Sequence, residues 1–364
     1  MGLGLLNSPT IGTSREWGTG TPRSFRVAWN GLGEGRRKHV TVIGFHASHE
    51  QIHPTELLQA VQRAEQAGFT AAMCSDHFAP WSERQGHSAF AWAWLGAALQ
   101  ATSLPFGIVN APGQRYHPAI IAQAIATLES MFPERFWAAL GSGEAVNEHI
   151  TGDGWPDKDR RNARLEESVT VIRSMLAGQE VTHSGEITVD RARLWTLPDK
   201  QPPLIAAAVS PQTAAWAAGW ADGLATVLQA PDALRRVVDA YRSHGGVGPL
   251  VLQVHLSFAA SDDEALAIAH DQWRTNVFSP PLCWDLDSVE AFDIAATHVP
   301  ADALRGSVNV SSDTSRHVAW LQEAIDLGFD ELYLHHVGQE QSAFIDAFGE
   351  RVLPELGVTR KVPA

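Results

Sequence analysis

From Thr41 onward, short apolar runs alternate with stretches in which apolar residues recur every three to four positions. TVIGFHA (41–47) reads as a strand, and PTELLQAVQRAEQAGF (54–69) as an amphipathic helix stopped by Gly68. The alternation continues through TAAMCSD and SAFAWAWLGAALQAT, then PFGIVNAP and HPAIIAQAIATLESMF. FWAALGSG is followed by a polar stretch and ARLEESVTVIRSMLAG. PPLIAAAV leads to PQTAAWAAGWA, GLATVLQ to PDALRRVVDAYRSHG, LVLQVHLSFA to DDEALAIAHDQWRTN, and ELYLHHV to QSAFIDAFGERVL. Near-continuous apolar strands set between helices mean a parallel sheet covered by helices. Eight such units predict an α/β chain whose residues 41–364 form one (β/α)8 TIM barrel with insertions. No G-x-G-x-x-G follows the first strand, which argues against an open dinucleotide-binding sheet. One insertion, EVTHSGEITVDRARLWTLPD, predicts a hairpin around Ser184-Gly185. Another runs from about Val277 to Ser312 and contains SPPLCWDLD.

Composition narrows the function classes. With 364 residues, 45% of them apolar, the chain can bury one large core. Its 27 basic and 41 acidic residues leave a net charge of −14, which repels a phosphate backbone, so no nucleic-acid partner is expected. Cys74 and Cys283 make neither a disulfide framework nor a zinc spacing, as suits a reducing cytoplasm. No apolar run approaches the roughly 20 residues that span a bilayer, so no membrane association is expected. Residues 1–40 hold eight glycines and end in GEGRRKH, and they read as a loosely ordered extension without a signal-peptide core.

In a barrel of this kind, chemistry belongs at the C-terminal ends of the strands. His46 ends the first strand, Asp76, His77 and Trp81 follow the second, and Asn110 ends the third. GSGEAVNE follows the fourth, and His335 and His336 end the eighth, where only one of the two can face the mouth. His77 is either a general base or ring donor, or a loop histidine capped by Asp76. Glu144, after a Gly-Ser-Gly turn, is either a catalytic acid or a carboxylate facing a helix dipole. Trp81 is either a pocket wall or core. With 16 histidines a metal site is conceivable, but none is expected, on the reading that the chain has no H-x-H or H-E-x-x-H spacing and that HVAW and HPA carry no ligand geometry. A serine hydrolase is disfavoured because no G-x-S-x-G elbow occurs.

SDHFAPW, RYHPAIIAQAIATLESMFPERFWAALGSGEAVNE, RLEESVTVIRSMLAG and SPQTAAWAAGWADG together resemble the bacterial luciferase-like flavin or F420 oxidoreductases. The likeness runs in order from about Thr41 to Leu356. It is strongest to F420-dependent glucose-6-phosphate dehydrogenases and to a neighbouring FMN-type subfamily, which LGFDELYLHHVGQEQSAFIDAFGERVLPEL resembles. The resemblance implies that Asp76 hydrogen-bonds the flavin or deazaflavin, that His77 sits over the reactive ring, and that Trp81 lines the substrate side. It further implies that Gly141, Ser142 and Gly143 follow the cofactor, that Glu144 is an acid, and that Asn147 contacts the ring's polar edge. Gly107, Ile108, Val109 and Asn110 match a third strand that in relatives carries a non-prolyl cis peptide behind the ring.

The chain also departs from the sugar-phosphate enzymes. GLATVLQAPDAL offers no cation before Arg235, only Arg305 lies near Ser307, and SPPLCWDLD has no lysine. A phosphorylated sugar is therefore not the expected substrate. The fifth-strand turn, Ala207-Ala208-Val209-Ser210, lacks glycine and changes how a cofactor phosphate is held. The expectation is a cytoplasmic oxidoreductase that moves a hydride between FMN, or alternatively F420, and a small organic substrate. A monooxygenase using reduced FMN and oxygen is a second reading. A non-catalytic flavin-binding protein is a third, and the joint presence of His77, Glu144 and Asn147 argues against it. By analogy with relatives, the chain is expected to form a homodimer.

Overall fold

A computed structural model describes residues 42–358; the extension expected over residues 1–40 lies outside the described residues. The first half of the chain builds β1 (Val42–Ala47), α1 (Pro54–Ala67), β2 (Ala71–Ser75), α2 (Ala91–Ala101), β3 (Phe106–Asn110), α3 (Pro118–Met131) and β4 (Phe136–Leu140). The short α4 (Ala145–Glu148) and long α5 (Lys158–Leu176) lead to a hairpin of β5 (Val181–Ser184) and β6 (Thr188–Ala192). Next come β7 (Leu204–Ala207), α6 (Pro211–Ala217), β8 (Leu224–Val227), α7 (Pro231–Ser243), β9 (Leu250–Ser257) and α8 (Asp262–Trp273). The second insertion folds as α9 (Leu282–Asp285), α10 (Val289–Ala295) and the two-residue β10 (Asn309–Val310). The chain then completes α11 (Thr314–Asp326), β11 (Glu331–His336) and α12 (Ser342–Arg351).

Eight strands pair side by side in the order β11, β1, β2, β3, β4, β7, β8 and β9, and the sheet closes because β9 pairs with both β8 and β11. Every one of these pairings is parallel. The result is the predicted (β/α)8 barrel. Its strands are apolar on both faces for a physical reason: outward residues such as Phe45, Ala72, Cys74 and Ile108 pack under the helices, while Met73, Trp137, Ile205, Val251 and Tyr333 fill the interior. Trp137 and Tyr333 meet edge to face at 5.8 Å. They fit because glycine faces each of them: a Cβ at Gly107 would lie 2.0 Å from the Trp137 ring, and one at Gly44 would lie 2.3 Å from the Tyr333 ring.

Two results differ from the sequence expectation. The peptide bonds of Gly107–Asn110 are trans, and the cis bond among the described residues is Pro280–Pro281. The β3–β4 ladder runs without interruption from Phe106↔Phe136 to Asn110↔Leu140, which requires extended trans backbone throughout. The helix α11 is also unmarked by the sequence pattern. Its inner face carries buried His317 beside Leu321 and Ala324, so the apolar stripe is broken where a histidine stands in the core.

Candidate active site

The C-terminal ends of the strands surround a cavity of about 580 Å³. Asp76, His77, Trp81, Val109, Asn110, Gly141, Ser142, Gly143, Glu144, Asn147, Ala207 and Ala208 all line it. Gly107 and Ile108 do not. The inner face of Gly107 is occupied by Trp137, and Ile108 points outward into the helix-covered core.

The loop after β2 is held from several sides. Asn147 Oδ1 accepts from the Phe78 and Ala79 backbone N–H groups at 2.8 and 3.3 Å, so its carbonyl fixes this loop and its amide nitrogen is turned towards Glu144. Arg115, nearly buried, donates to the Asp76 carbonyl oxygen at 2.6 Å, and its backbone N–H donates to Glu148 at 2.7 Å. Burial pushes the Glu148 carboxyl up, although Arg115 pulls the other way. Asn110 Nδ2 donates to Asp76 Oδ2 at 2.9 Å. Asp76 Oδ1 and Asn110 Oδ1 are then left as buried acceptors without partners. Buried polar atoms are rarely left unpaired, and two such acceptors on residues that line the cavity suit the N–H edge of a flat heterocycle. The residues present therefore fit a flavin or deazaflavin ring.

His77 Nδ1 lies 2.5 Å from Glu50 Oε1, and Glu50 is 3% exposed. Burial opposes the charged imidazole, yet the Glu50 carboxylate, its hydrogen bond and the Glu144 charge outweigh it, so the His77 pKa is raised. Burial likewise opposes a Glu50 anion, but His77 and the Ser48 hydroxyl pull its pKa down to about 2. Both shifts favour an imidazolium–carboxylate pair, and His77 lines the cavity. The Trp81 indole meets His77 edge to face at 5.0 Å and Phe292 at 5.4 Å. Glu144 stands in extended backbone at the start of α4, and its side chain does not cap that helix.

The sequence pattern passes over several of these groups. His49-Glu50-Gln51-Ile52-His53 carries the H-E-x-x-H spacing, which corrects the reading that the chain has none. The spacing binds zinc only on a helix, where both imidazoles share one face. Here it forms the turn before α1: His49 packs on Trp94, His53 caps α1 by accepting from Thr55 N–H, and Glu50 goes to His77. Lys158 is also unmarked, because it opens α5 far from any strand end. It is the one Lys or Arg among the described residues lining the cavity. Its Nζ donates to Ser142 Oγ at 2.7 Å and lies 4.8 Å over the Trp284 ring, and burial lowers its pKa to about 8.

The second insertion roofs the cavity. Asp285 accepts from Trp155 Nε1 at 2.9 Å, while Asp293 accepts from Ser82 and Arg84 at 2.8 and 2.7 Å. Phe278, Cys283, Trp284 and Phe292 face the cavity from this side.

A family model described as luciferase-like monooxygenase matches residues 38–331. An F420-dependent glucose-6-phosphate dehydrogenase of Nakamurella multipartita is 32% identical over 326 residues, spanning 86% of this chain and 96% of that one. An F420-dependent hydroxymycolic acid dehydrogenase of Mycobacterium tuberculosis is 34% identical, spanning 86% of this chain and 88% of its own length. Among solved structures, an F420-dependent secondary alcohol dehydrogenase in complex with an F420–acetone adduct is 31% identical. Its TM-score is 0.80, and the match covers 87% of this chain and 99% of that one.

Proposed function

The chain belongs to the luciferase-like monooxygenase family of oxidoreductases, and from that premise we propose that it is an F420-dependent dehydrogenase of a small secondary alcohol. The observation that carries the reading is the His77–Glu50 pair set beside Glu144 at the mouth of the barrel.

F420 takes the place of FMN, the cofactor expected from sequence, because the named relatives use it. The grounds for FMN are the likeness of residues 327–356 to the FMN-type subfamily and the absence of glycine at Ala207-Ala208. Those side chains are small and both residues line the cavity, so they leave room for a phosphate beside the backbone. The missing lysines concern the substrate's phosphate, not the cofactor's. Lys158 beside Ser142 offers a cation for the cofactor's anionic tail.

Bound F420 supplies a two-electron acceptor for a hydride from the carbinol carbon. The protein's part is to hold the ring edge at Asp76 and Asn110, to orient the alcohol, and to manage one proton. The His77 imidazolium donates through Nε2 to the substrate oxygen and steadies the charge that grows there. The hydroxyl proton leaves to Glu144, and a ketone remains. Glu50 acts through His77 and is a positioning residue. The second insertion keeps water from the reacting carbon.

The test is a titration of the full-length protein with F420 and with FMN side by side, followed by assay of F420 bleaching with secondary alcohols. F420 should bind at least about tenfold more tightly, and His77→Ala should lower turnover on the order of a hundredfold or more. Tighter binding of FMN overturns the cofactor assignment, and undiminished turnover by His77→Ala overturns the role of the imidazole.

A further inference from the structure

The groups that fit the cofactor ring lie on the loops after β2, β3, β4 and β7, on one side of the barrel mouth. The opposite wall, from β1, β8, β9 and β11, carries a second set of polar side chains to which no role has yet fallen. His46, His335 and His255 stand on adjacent strands, and His335 and His255 are register partners. The His46 and His335 rings stack at 4.4 Å with 27° between planes, and His255 meets His335 at 5.4 Å. The Trp273 indole closes the row at 4.7 Å from His335 and 4.9 Å from His255. All four side chains line the cavity, with Thr226 and Gln253 beside them.

Part of this wall is satisfied and part is not. His335 Nε2 donates to Gln51 Oε1 at 2.8 Å, and Gln253 Nε2 donates to His335 Nδ1 and His255 Nε2 at 3.3 and 3.1 Å. Both nitrogens of His46, the Trp273 Nε1–H and Thr226 Oγ1 have no partner, although these side chains are only 2, 5 and 4% exposed. A buried donor or acceptor left unpaired costs about 1–3 kcal/mol, so three such groups around one space mark a place for a hydrogen-bonding ligand. The arrangement is not a metal site, since the imidazoles stack by their faces and both His335 nitrogens are engaged.

We propose that this wall is a substrate subsite for an uncharged hydroxyl or carbonyl group remote from the reacting carbon, which makes the substrate a neutral diol or hydroxyketone. The proposal rests on the dehydrogenase reading above and adds the substrate class. Neutral imidazoles, an indole N–H and a hydroxyl match a hydroxyl or carbonyl group by group. They do not match a phosphate or carboxylate. Burial lowers the pKa of His46 to about 3 and of His255 to about 4, and that of His335 well below its usual value, so the row holds no cation. Glu50 and Glu144 border the space, and Lys158 is paired with Ser142 beside the Gly-Ser-Gly turn.

The experiment follows F420 bleaching by the full-length protein with 2-butanol, 2,3-butanediol, lactate and glucose 6-phosphate, alongside direct titration with F420. The diol should exceed 2-butanol in kcat/KM by about tenfold, and the two anions should fall below both alcohols. Trp273→Phe and Thr226→Val should each lower the diol's kcat/KM about fivefold more than that of 2-butanol, mainly through KM, with F420 affinity kept as evidence of folding. Preference for lactate or glucose 6-phosphate overturns the proposal. So does an equal loss for both alcohols, or F420 binding without turnover of either. Failure of the wild-type protein to bind F420 is a separate outcome, and it overturns the dehydrogenase reading on which the proposal stands.

Discussion

His77 and Glu50 come from loops 27 residues apart in the chain and meet at 2.5 Å, with the carboxylate almost fully buried. The contact favours the charged imidazole against the burial that opposes it. Removing the carboxylate leaves burial unopposed.

Glu50→Gln should therefore move the alkaline limb of the kcat/KM profile to lower pH. A raised pKa means the imidazolium is fully present below the ordinary histidine value and is lost as pH rises through the raised one. The pH profile of F420 reduction checks this, and an unmoved limb disconnects Glu50 from His77. The same pair gives stability an acid dependence. Glu50 titrates near 2 when folded and 4.5 otherwise, so its contribution is present above 4.5 and fades between those values.

Lys158→Met should weaken F420 binding by about tenfold, roughly the loss of one charge-assisted contact. With the Lys158 pKa lowered to about 8, its cation is present below that pH and lost above it. Wild-type affinity should thus decline from pH 7 to 9, and the variant should show no such decline. Fluorescence titration at several pH values distinguishes the two.

Gly107→Ala should cost about 1–3 kcal/mol in stability through overpacking against Trp137. Thermal denaturation reads this as a lower Tm. A neutral result would mean that the Trp137 ring yields its place.

Asp285→Ala should raise KM severalfold and lower Tm as well, since it removes the carboxylate 3.9 Å from the buried Arg161 guanidinium. Steady-state kinetics and a melting curve suffice, and an unchanged KM removes the insertion from substrate binding.

The barrel was legible because each strand announces itself: FWAAL and AAMCS are wholly buried, and helix caps such as Gly68 stand between them. The position of Asp76, His77, Glu144 and Asn147 at the cavity was legible because they sit next to strand ends, where chain order alone locates the mouth. Glu50 and Lys158 were not, because one belongs to a turn that spells a zinc motif and the other to a helix start. Their partners lie 27 and 16 residues away, a distance that local pattern does not cross. The row of His46, His255 and His335 was divided among three strands, and only the register of the closed barrel assembles it. The trans Gly107–Asn110 strand shows the opposite limit, where a resemblance supplied a backbone detail that this ladder does not contain.

The two sides of the mouth are fastened differently. The cofactor side is tied down by buried Arg115 and Asn147, whereas the insertion over the other side is held by Asp285 and Asp293 together with the buried Phe292, Leu304 and Val308. On the dehydrogenase reading proposed above, an insertion that opened over a fixed cofactor would give an ordered cycle, cofactor first in and ketone first out. Where that opening paces the cycle, added sucrose or glycerol will slow kcat in proportion to solvent viscosity, and replacing the carbinol hydrogen with deuterium will change it little.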